Sequence, residues 1–262
     1  MGKYETYRPV YEDNWTNLKI RPSREPAASK AAKRITAGKP RYQKVEKSTS
    51  VPWWFVGLVH LRESDLDFTK QLGQGDPLDQ VSTHEPKGMG PYRGPSAFED
   101  SCVDALKHEG YLNQPDWSVA RTCYRLEGYN GYGYHSHGVN SPYLYGGSTL
   151  YGPPEARAGK YVKDGVFSDS FNDPQLGTLV VLKKMMEGDP SIQFKSPPTM
   201  PPSSVAKHGT AGSIIVAGGV AAGTAAQSGM RGPVILAIIA LTIIVAAAAW
   251  FGIHNLQKGK SS

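Results

Sequence analysis

An uncharged apolar segment at residues 233–253, PVILAIIALTIIVAAAAWFGI, constrains this chain more than any other feature of its sequence. A helix of this length, at ~1.5 Å per residue, spans a bilayer hydrocarbon core of ~30 Å. Trp250 near its end suits the aromatic belt of a membrane interface. Lys258 and Lys260 follow the segment and only Arg231 precedes it, which favours a cytoplasmic C-terminus. We therefore predict a single transmembrane helix that tethers the preceding domain on the far face of the membrane.

The stretch before this helix predicts where the folded domain ends. Residues 195–209, KSPPTMPPSSVAKHG, are rich in Pro and Ser and predict a semi-rigid spacer. Residues 211–229 are rich in Gly and Ala, which predicts either a flexible linker or a second membrane span. We divide the chain into a domain at 1–190, a linker at 191–232, the transmembrane helix and a short basic tail at 254–262.

Charge is distributed unevenly along the chain and bears on its partners. The net charge is +6, yet residues 1–50 carry +7 and residues 51–190 carry −6. A nucleic-acid-binding domain places positive charge on its folded surface, so we predict no nucleic-acid partner. Cys102 and Cys123 lie among apolar residues and predict buried thiols rather than a disulfide framework. No apolar stretch follows the N-terminus, so we expect no cleaved signal peptide.

Hydrophobic periodicity predicts a mainly helical domain. The predicted helices cover residues 26–37, 41–48, 53–63, 96–109, 117–128 and 173–187. Turn-rich stretches at 69–95 and 129–172 separate them. Asp173 and Pro174 have the residue types of an N-cap and a first helical position, and they predict the start of the last helix.

Glu63 is the strongest candidate for a catalytic group. It follows a strongly apolar stretch in VPWWFVGLVHLRESDLDF, where a helix would pass from the core to a cleft. Apolar surroundings raise the pKa of a carboxyl group, as a general acid that protonates a glycosidic oxygen requires. The alternative is a surface glutamate at the polar end of an amphipathic helix.

A second catalytic group is expected in the turn-rich segment 72–88, LGQGDPLDQVSTHEPKG. Glycosidases need a group that acts as nucleophile or positions water opposite the acid. Asp76 is the first candidate and Thr83 the second. The alternative for Asp76 is a Gly-Asp-Pro turn in which the carboxylate binds its own backbone.

A sugar-binding surface is predicted in residues 126–151, LEGYNGYGYHSHGVNSPYLYGGSTLY, which are dense in tyrosine and glycine. Tyrosine offers an apolar face to a sugar ring and a hydroxyl for hydrogen bonding, while glycine lets the backbone approach a ligand. A flexible loop is the alternative. The candidate substrate-binding residues are Tyr129, Asn130, Tyr132, Asn140 and Tyr143. A zinc site at His84, His135 and His137 is a weaker alternative, and we expect no metal and no cofactor.

Residues 1–190 resemble a bacterial and prophage branch of lysozyme-family proteins. The resemblance is carried, in order, by RYQKVEKSTSVPWWFVGLVHLRES, GDPL, FEDSCVDAL, WSVARTCYRLEGYNGYGY, NSPYLYGGS and GKYVKDGVF. Glu63-Ser64 is similar to the Glu-Ser of goose-type lysozymes and soluble lytic transglycosylases, and Tyr129-Asn130-Gly131 to their later Tyr-Asn-Ala-Gly block. Tailed-phage lysozymes pair a Glu with an Asp and a Thr, an order that Glu63, Asp76 and Thr83 follow. This chain departs from these families in its wider Glu-to-Asp spacing and in lacking a Gly-Leu-Met-Gln block.

The resemblance implies a mainly α (α+β lysozyme-like) fold, a helical bundle with a small turn or hairpin lobe beside the cleft. It also implies an endolysin-like muramidase that degrades the glycan strands of peptidoglycan, with Glu63 as general acid. A lytic transglycosylase, a non-catalytic peptidoglycan-binding module and a zinc amidase or peptidase remain alternatives. The expected partners are peptidoglycan and, through residues 233–253, the bacterial inner membrane, with the domain acting on the periplasmic side. The oligomeric state stays open.

Overall fold

The structure, a computed structural model, describes residues 3–73, 75–84, 86–163 and 165–197. The described part is mainly helical, as predicted. Its α-helices are α1 Lys3–Asn17, α2 Glu25–Ala37, α3 Lys39–Thr49, α4 Trp53–Ser64, α5 Ala97–His108, α6 Val119–Gly128, α7 Pro142–Tyr145 and α8 Thr178–Gly188. Two short 3-10 helices lie at Pro22–Arg24 and Tyr132–His137. Two strands, β1 Lys160–Lys163 and β2 Val166–Ser168, form an antiparallel pair.

Helix α4 lies at the centre of the domain. Every residue from Trp53 to His60 is buried, and α2, α3 and α8 pack around the helix. A helix that is apolar on all sides is stable only inside a core, which explains its position. Gly57 permits the close packing, since a Cβ there would lie 2.4 Å from Cγ2 of Ile35 on α2. The prediction of a helix at 53–63 was therefore correct to within one residue.

The central core also contains a polar pair. The hydroxyl of Tyr42 lies 2.8 Å from Nδ1 of His60, and Nε2 of His60 lies 3.2 Å from the carbonyl oxygen of Asp67. Burial lowers the pKa of His60 to about 4, so the imidazole is neutral at neutral pH. Cys102 and Cys123 are free thiols with no exposed surface, as predicted.

Helix α1 was not predicted from the sequence. It contains Pro9 and shows no marked apolar face, yet it packs along α6. Glu127 is buried on α6 and accepts a hydrogen bond from the Tyr11 hydroxyl, with Nε2 of His135 3.1 Å away. The imidazole of His135 stacks on the ring of Tyr7 at 3.6 Å. Buried polar contacts therefore hold α1 in place.

The predicted start of the last helix at Asp173-Pro174 is wrong. Helix α8 begins at Thr178, with Gly177 as its N-cap. The Asp173 side chain is instead buried. Its carboxylate accepts a hydrogen bond of 2.9 Å from the backbone N–H of Gln175 and forms an ion pair with Lys160 at 2.8 Å. A carboxylate that bonds the backbone two residues later forms an Asx turn, which uses the same residue types as a cap.

The described chain packs against the domain up to its last residues. Trp117 and Lys195 exchange two backbone hydrogen bonds, of 2.7 and 3.0 Å. Ile192 is buried, and the ring of Phe194 contacts Trp15 and Trp54 edge-on.

Within these four ranges, no helix is long and apolar enough to cross a membrane. The transmembrane helix predicted at 233–253 and the linker or second span predicted at 211–229 lie outside the described residues.

Candidate active site

Glu63 lies in the last turn of α4, where the buried helix reaches the surface of the core. The chain leaves the helix at Asp65, which adopts a left-handed conformation with φ 51°. Arg34 on α2 holds this end by donating to the Asp65 carboxylate at 2.8 Å and to its carbonyl oxygen at 2.7 Å. Glu63 is half-buried at this end of the helix.

The carboxyl group of Glu63 is bound by Tyr143. The hydroxyl of Tyr143 donates a hydrogen bond of 2.7 Å to Oε1 of Glu63. Tyr143 is buried on the short helix α7, and its own carbonyl oxygen accepts a hydrogen bond of 3.1 Å from the Thr178 hydroxyl at the start of α8. Two residues eighty positions apart in the sequence therefore meet, because α7 packs on α8 and α8 packs on α4.

Burial sets the protonation state of Glu63. Loss of solvent around the carboxyl raises its pKa to about 7, although the Tyr143 hydrogen bond and the charge of Arg62 act in the opposite direction. The negative charge of Glu109 raises the pKa further. A carboxyl group with this pKa is protonated in a large fraction of molecules at neutral pH, as a general acid must be.

Tyr129 adds an unpaired hydroxyl to the site. Its ring lies parallel to that of Tyr143, with the centroids 6.4 Å apart, and the ring of Tyr111 packs on it at 6.2 Å. The Tyr129 hydroxyl is buried and has no hydrogen-bond partner within the described residues. Burial raises the pKa of this hydroxyl well above its ordinary value, so it is a neutral donor. A buried polar group without a partner is costly, and such groups often mark a functional site.

Asp76 organises the turn-rich segment that follows α4. Its Oδ1 lies 2.8 Å from Nδ1 of His84, and its Oδ2 accepts the Ser82 hydroxyl at 2.9 Å and the Thr83 backbone N–H at 3.2 Å. Burial pushes the pKa of Asp76 upward, but the hydrogen bonds from His84 and Ser82 outweigh it and hold the pKa below its ordinary value. Asp76 is thus ionised, and both of its oxygens are occupied by donors of its own segment.

This segment adjoins the end of α4. Gly75 has a φ of +68°, and a Cβ there would lie 3.1 Å from the carbonyl oxygen of Glu63. Thr83 is exposed and reaches Asp76 through its backbone N–H. The structure therefore brings Asp76 and Thr83 together, on a segment that touches the backbone of Glu63.

The other predicted binding residues brace the loop between α6 and α7. Asn130 donates to the Ser141 hydroxyl at 3.2 Å. Tyr132 stacks on Tyr124 at 4.5 Å and donates to its carbonyl oxygen. Asn140 accepts a hydrogen bond from Asn14 and donates to the carbonyl oxygen of Leu150, both at 3.0 Å. Among the predicted binding residues, only Tyr129 and Tyr143 have described contacts within the Glu63 cluster.

The three histidines of the zinc alternative have different partners. His84 contacts Asp76, His135 contacts Glu127, and Nε2 of His137 lies 3.1 Å from the Tyr161 hydroxyl. No group of three or more His, Cys, Asp or Glu residues in the described ranges is arranged to hold a metal ion.

Several residues of the site were not predicted. The guanidinium of Arg62 lies 4.7 Å from the centre of the Tyr143 ring, and Glu109 acts on the pKa of Glu63. His84 was considered only as a metal ligand, whereas it pairs with Asp76. The adjacency of Arg62 to Glu63 was the one sequence signal for these contacts.

No protein-family model matches this chain. Comparisons with curated proteins and with solved structures find no matching protein and no matching structure.

Proposed function

We propose that this protein cleaves the glycan strands of bacterial peptidoglycan, with Glu63 as general acid. The observation that carries the proposal is the Glu63 carboxyl group, half-buried at the end of an apolar helix, held by Tyr143 and given a pKa of about 7. At neutral pH this group can donate a proton to a glycosidic oxygen, a role typically worth ~10²–10⁴ in rate. The resemblance of residues 1–190 to lysozyme-family proteins supports the same chemistry.

The neighbouring groups have proposed roles in the same reaction. Tyr143 orients the Glu63 carboxyl, and Tyr129, whose ring lies parallel to that of Tyr143, contacts the sugar through the part of the residue that is exposed. The ionised carboxylate of Asp76, with Thr83, stabilises the positive charge that develops on the sugar ring or holds the attacking water. Residues 233–253 anchor the enzyme in the inner membrane, and the domain acts on wall material on the periplasmic side.

A lytic transglycosylase is the second candidate. Both oxygens of Asp76 already accept hydrogen bonds from Ser82, His84 and the backbone, which leaves this carboxylate poorly suited to attack a sugar. A reaction in which a hydroxyl of the substrate closes onto the anomeric carbon needs no second free carboxylate. Glu63 would then donate the proton to the leaving oxygen and accept the proton of the attacking hydroxyl.

The test is cleavage of purified peptidoglycan by the full-length protein in detergent. We expect the wild type and Glu5→Gln, a control at an exposed position on α1, to release muropeptides, with and without a chelator. We expect Glu63→Gln to lose roughly 10³-fold or more in rate. Reducing ends in the products indicate hydrolysis, and anhydro ends indicate transglycosylation. Equal behaviour of the wild type and Glu63→Gln, whether active or inert, contradicts the proposal.

A further inference from the structure

A groove of about 300 Å³ lies between α2, the end of α4 and the loop before α8. Residues 27, 30, 31 and 34 of α2 form one wall, and they follow the i, i+3, i+4, i+7 spacing of a single helix face. Leu61, Arg62 and Asp65 form the opposite wall. The volume falls at the lower end of the range for small-ligand sites, about 300–1,000 Å³.

The groove is strongly cationic. Arg24, Lys30, Arg34 and Arg62 line it, against a single carboxylate from Asp65. That carboxylate is already paired with Arg34 at 2.8 Å. The lining therefore carries an excess of three positive charges, although the chain segment that contains α4 and the loop before α8 is acidic overall.

Two of these cations, Lys30 and Arg62, have N–H groups without a hydrogen-bond acceptor in the described part of the chain. Lys30 is exposed, and its ammonium makes no hydrogen bond or ion pair with any residue in the described part of the chain. Arg62 donates through Nη1 to the carbonyl oxygen of Leu176 at 3.1 Å, but its buried Nε has no partner among the described residues. An anion in the groove would give the exposed Lys30 ammonium an acceptor and would be attracted by the charge of Arg62, although the Arg62 Nε itself is buried. Guanidinium and ammonium groups bind carboxylates through charge-assisted hydrogen bonds.

Arg62 links this groove to the candidate catalytic acid. It precedes Glu63 in the sequence, its charge acts on the pKa of Glu63, and its guanidinium lies 4.7 Å from the centre of the Tyr143 ring. Tyr143 in turn binds the Glu63 carboxyl. Glu63 itself does not line the groove, and Arg62 is the residue that contacts both the groove and the Tyr143 ring.

We infer that this groove binds the carboxylate-bearing stem peptide of the peptidoglycan strand whose sugar chain is held at Glu63. The inference rests on the proposed function, because the stem peptide is the anionic group that such a strand carries next to its glycosidic bonds. A nucleic acid is a poorer match, since it requires an extended basic track along the folded surface, and the cations here converge on one short groove.

The test compares two soluble probes: glycan fragments that carry stem peptides, and the same fragments after an amidase has removed the peptides. Affinities are measured by calorimetry at low salt with full-length Glu63→Gln in detergent, so that no turnover occurs. We expect the peptide-bearing fragments to bind roughly tenfold more tightly. Adding Lys30→Glu should remove most of this preference. Lys33→Glu makes the same charge change at an exposed position on α2 that does not line the groove, and it should leave the preference intact.

Equal affinity for the two probes, or equal effects of Lys30→Glu and Lys33→Glu, would overturn the inference. So would tighter binding of a single-stranded oligonucleotide at the same salt concentration. The binding measurements require no cleavage. Absence of cleavage by the wild type therefore counts against the proposed function, whereas equal affinities count against the groove.

Discussion

At the scale of single residues, the site depends on keeping one carboxyl group protonated. Glu63 has a pKa of about 7 in the folded protein, against an ordinary value near 4.5. The folded state therefore holds a proton between these two values that the unfolded state has released. The contribution of Glu63 to stability is full below about pH 4.5 and is lost as the pH rises through about 7.

Glu63→Gln should consequently gain stability relative to the wild type as the pH rises. The difference in free energy of unfolding between variant and wild type should increase by about 2–3 kcal/mol from roughly pH 4 to pH 8. His60, whose pKa is lowered to about 4, has the opposite pH dependence, but it is common to both proteins and cancels in the difference. Urea unfolding at a series of pH values measures this quantity, and a difference that does not change with pH would refute the prediction.

Tyr143→Phe should shift the pH dependence of cleavage. The Tyr143 hydroxyl lowers the pKa of Glu63 by donating to its charged form, so its removal raises that pKa further. We expect the alkaline limb of the rate profile to move up by as much as about one pH unit. Tyr145→Phe is the matched control, since Tyr145 is buried nearby in the sequence but its hydroxyl does not contact Glu63. Coincident alkaline limbs for Tyr143→Phe and the wild type would show that this hydrogen bond does not tune the acid.

At the scale of secondary-structure elements, close packing of α4 against α2 positions the site. Gly57→Ala should reduce the free energy of unfolding by about 1–3 kcal/mol, because its Cβ would lie 2.4 Å from Ile35 and 3.2 Å from Tyr42. Gly188→Ala at the end of α8 is the control, with no atom within 4 Å of the added Cβ. It should leave stability unchanged or slightly increased. Similar losses in the two variants would mean that packing at Gly57 is unimportant.

The elements differed in how far the sequence could predict them. The helix at 53–63 was predictable because its sequence is a long apolar run, and a helix of such residues is stable only when it is buried in the core. Helix α1 was missed because its position depends on contacts such as Tyr11 with Glu127, which join residues 116 positions apart. The predicted helix start at Asp173 was wrong for a local reason, since the residue types that cap a helix also form an Asx turn.

In the candidate site, too, features set by neighbouring residues were predictable and features set by long-range contacts were not. The raised pKa of Glu63 could be expected from the apolar residues immediately before it, while its catalytic role stays a prediction. Tyr143 was expected as a substrate-binding residue, whereas the structure has its hydroxyl on Glu63 itself. That contact depends on the packing of α7 on α8 and of α8 on α4, and no sequence spacing reveals this packing. The same holds for Tyr132 and Asn140, whose side chains join the loop between α6 and α7 to Tyr124 on α6 and to Leu150 after α7.

At the scale of the whole molecule, membrane attachment is predicted from residues 233–253. Full-length protein should sediment with membranes and resist extraction by high salt and alkaline carbonate. Deletion of 233–253 should release the protein into the soluble fraction, whereas deletion of the tail at 254–262 should not. Release of the full-length protein by carbonate would contradict a membrane-spanning helix.

The contacts of residues 192–195 have a mechanical consequence. Ile192, Phe194 and the two hydrogen bonds between Lys195 and Trp117 fasten the chain to the domain. These residues fall within the predicted linker at 191–232, and Lys195 is the first residue of the predicted spacer. A force applied to the chain from an anchored C-terminus, while the domain is bound to a glycan strand, would act on these contacts first. It would reach α8 only after they broke, because they follow α8 in the sequence. If residues 233–253 anchor the chain as proposed, these contacts would have to break before a pull could distort the geometry around Glu63.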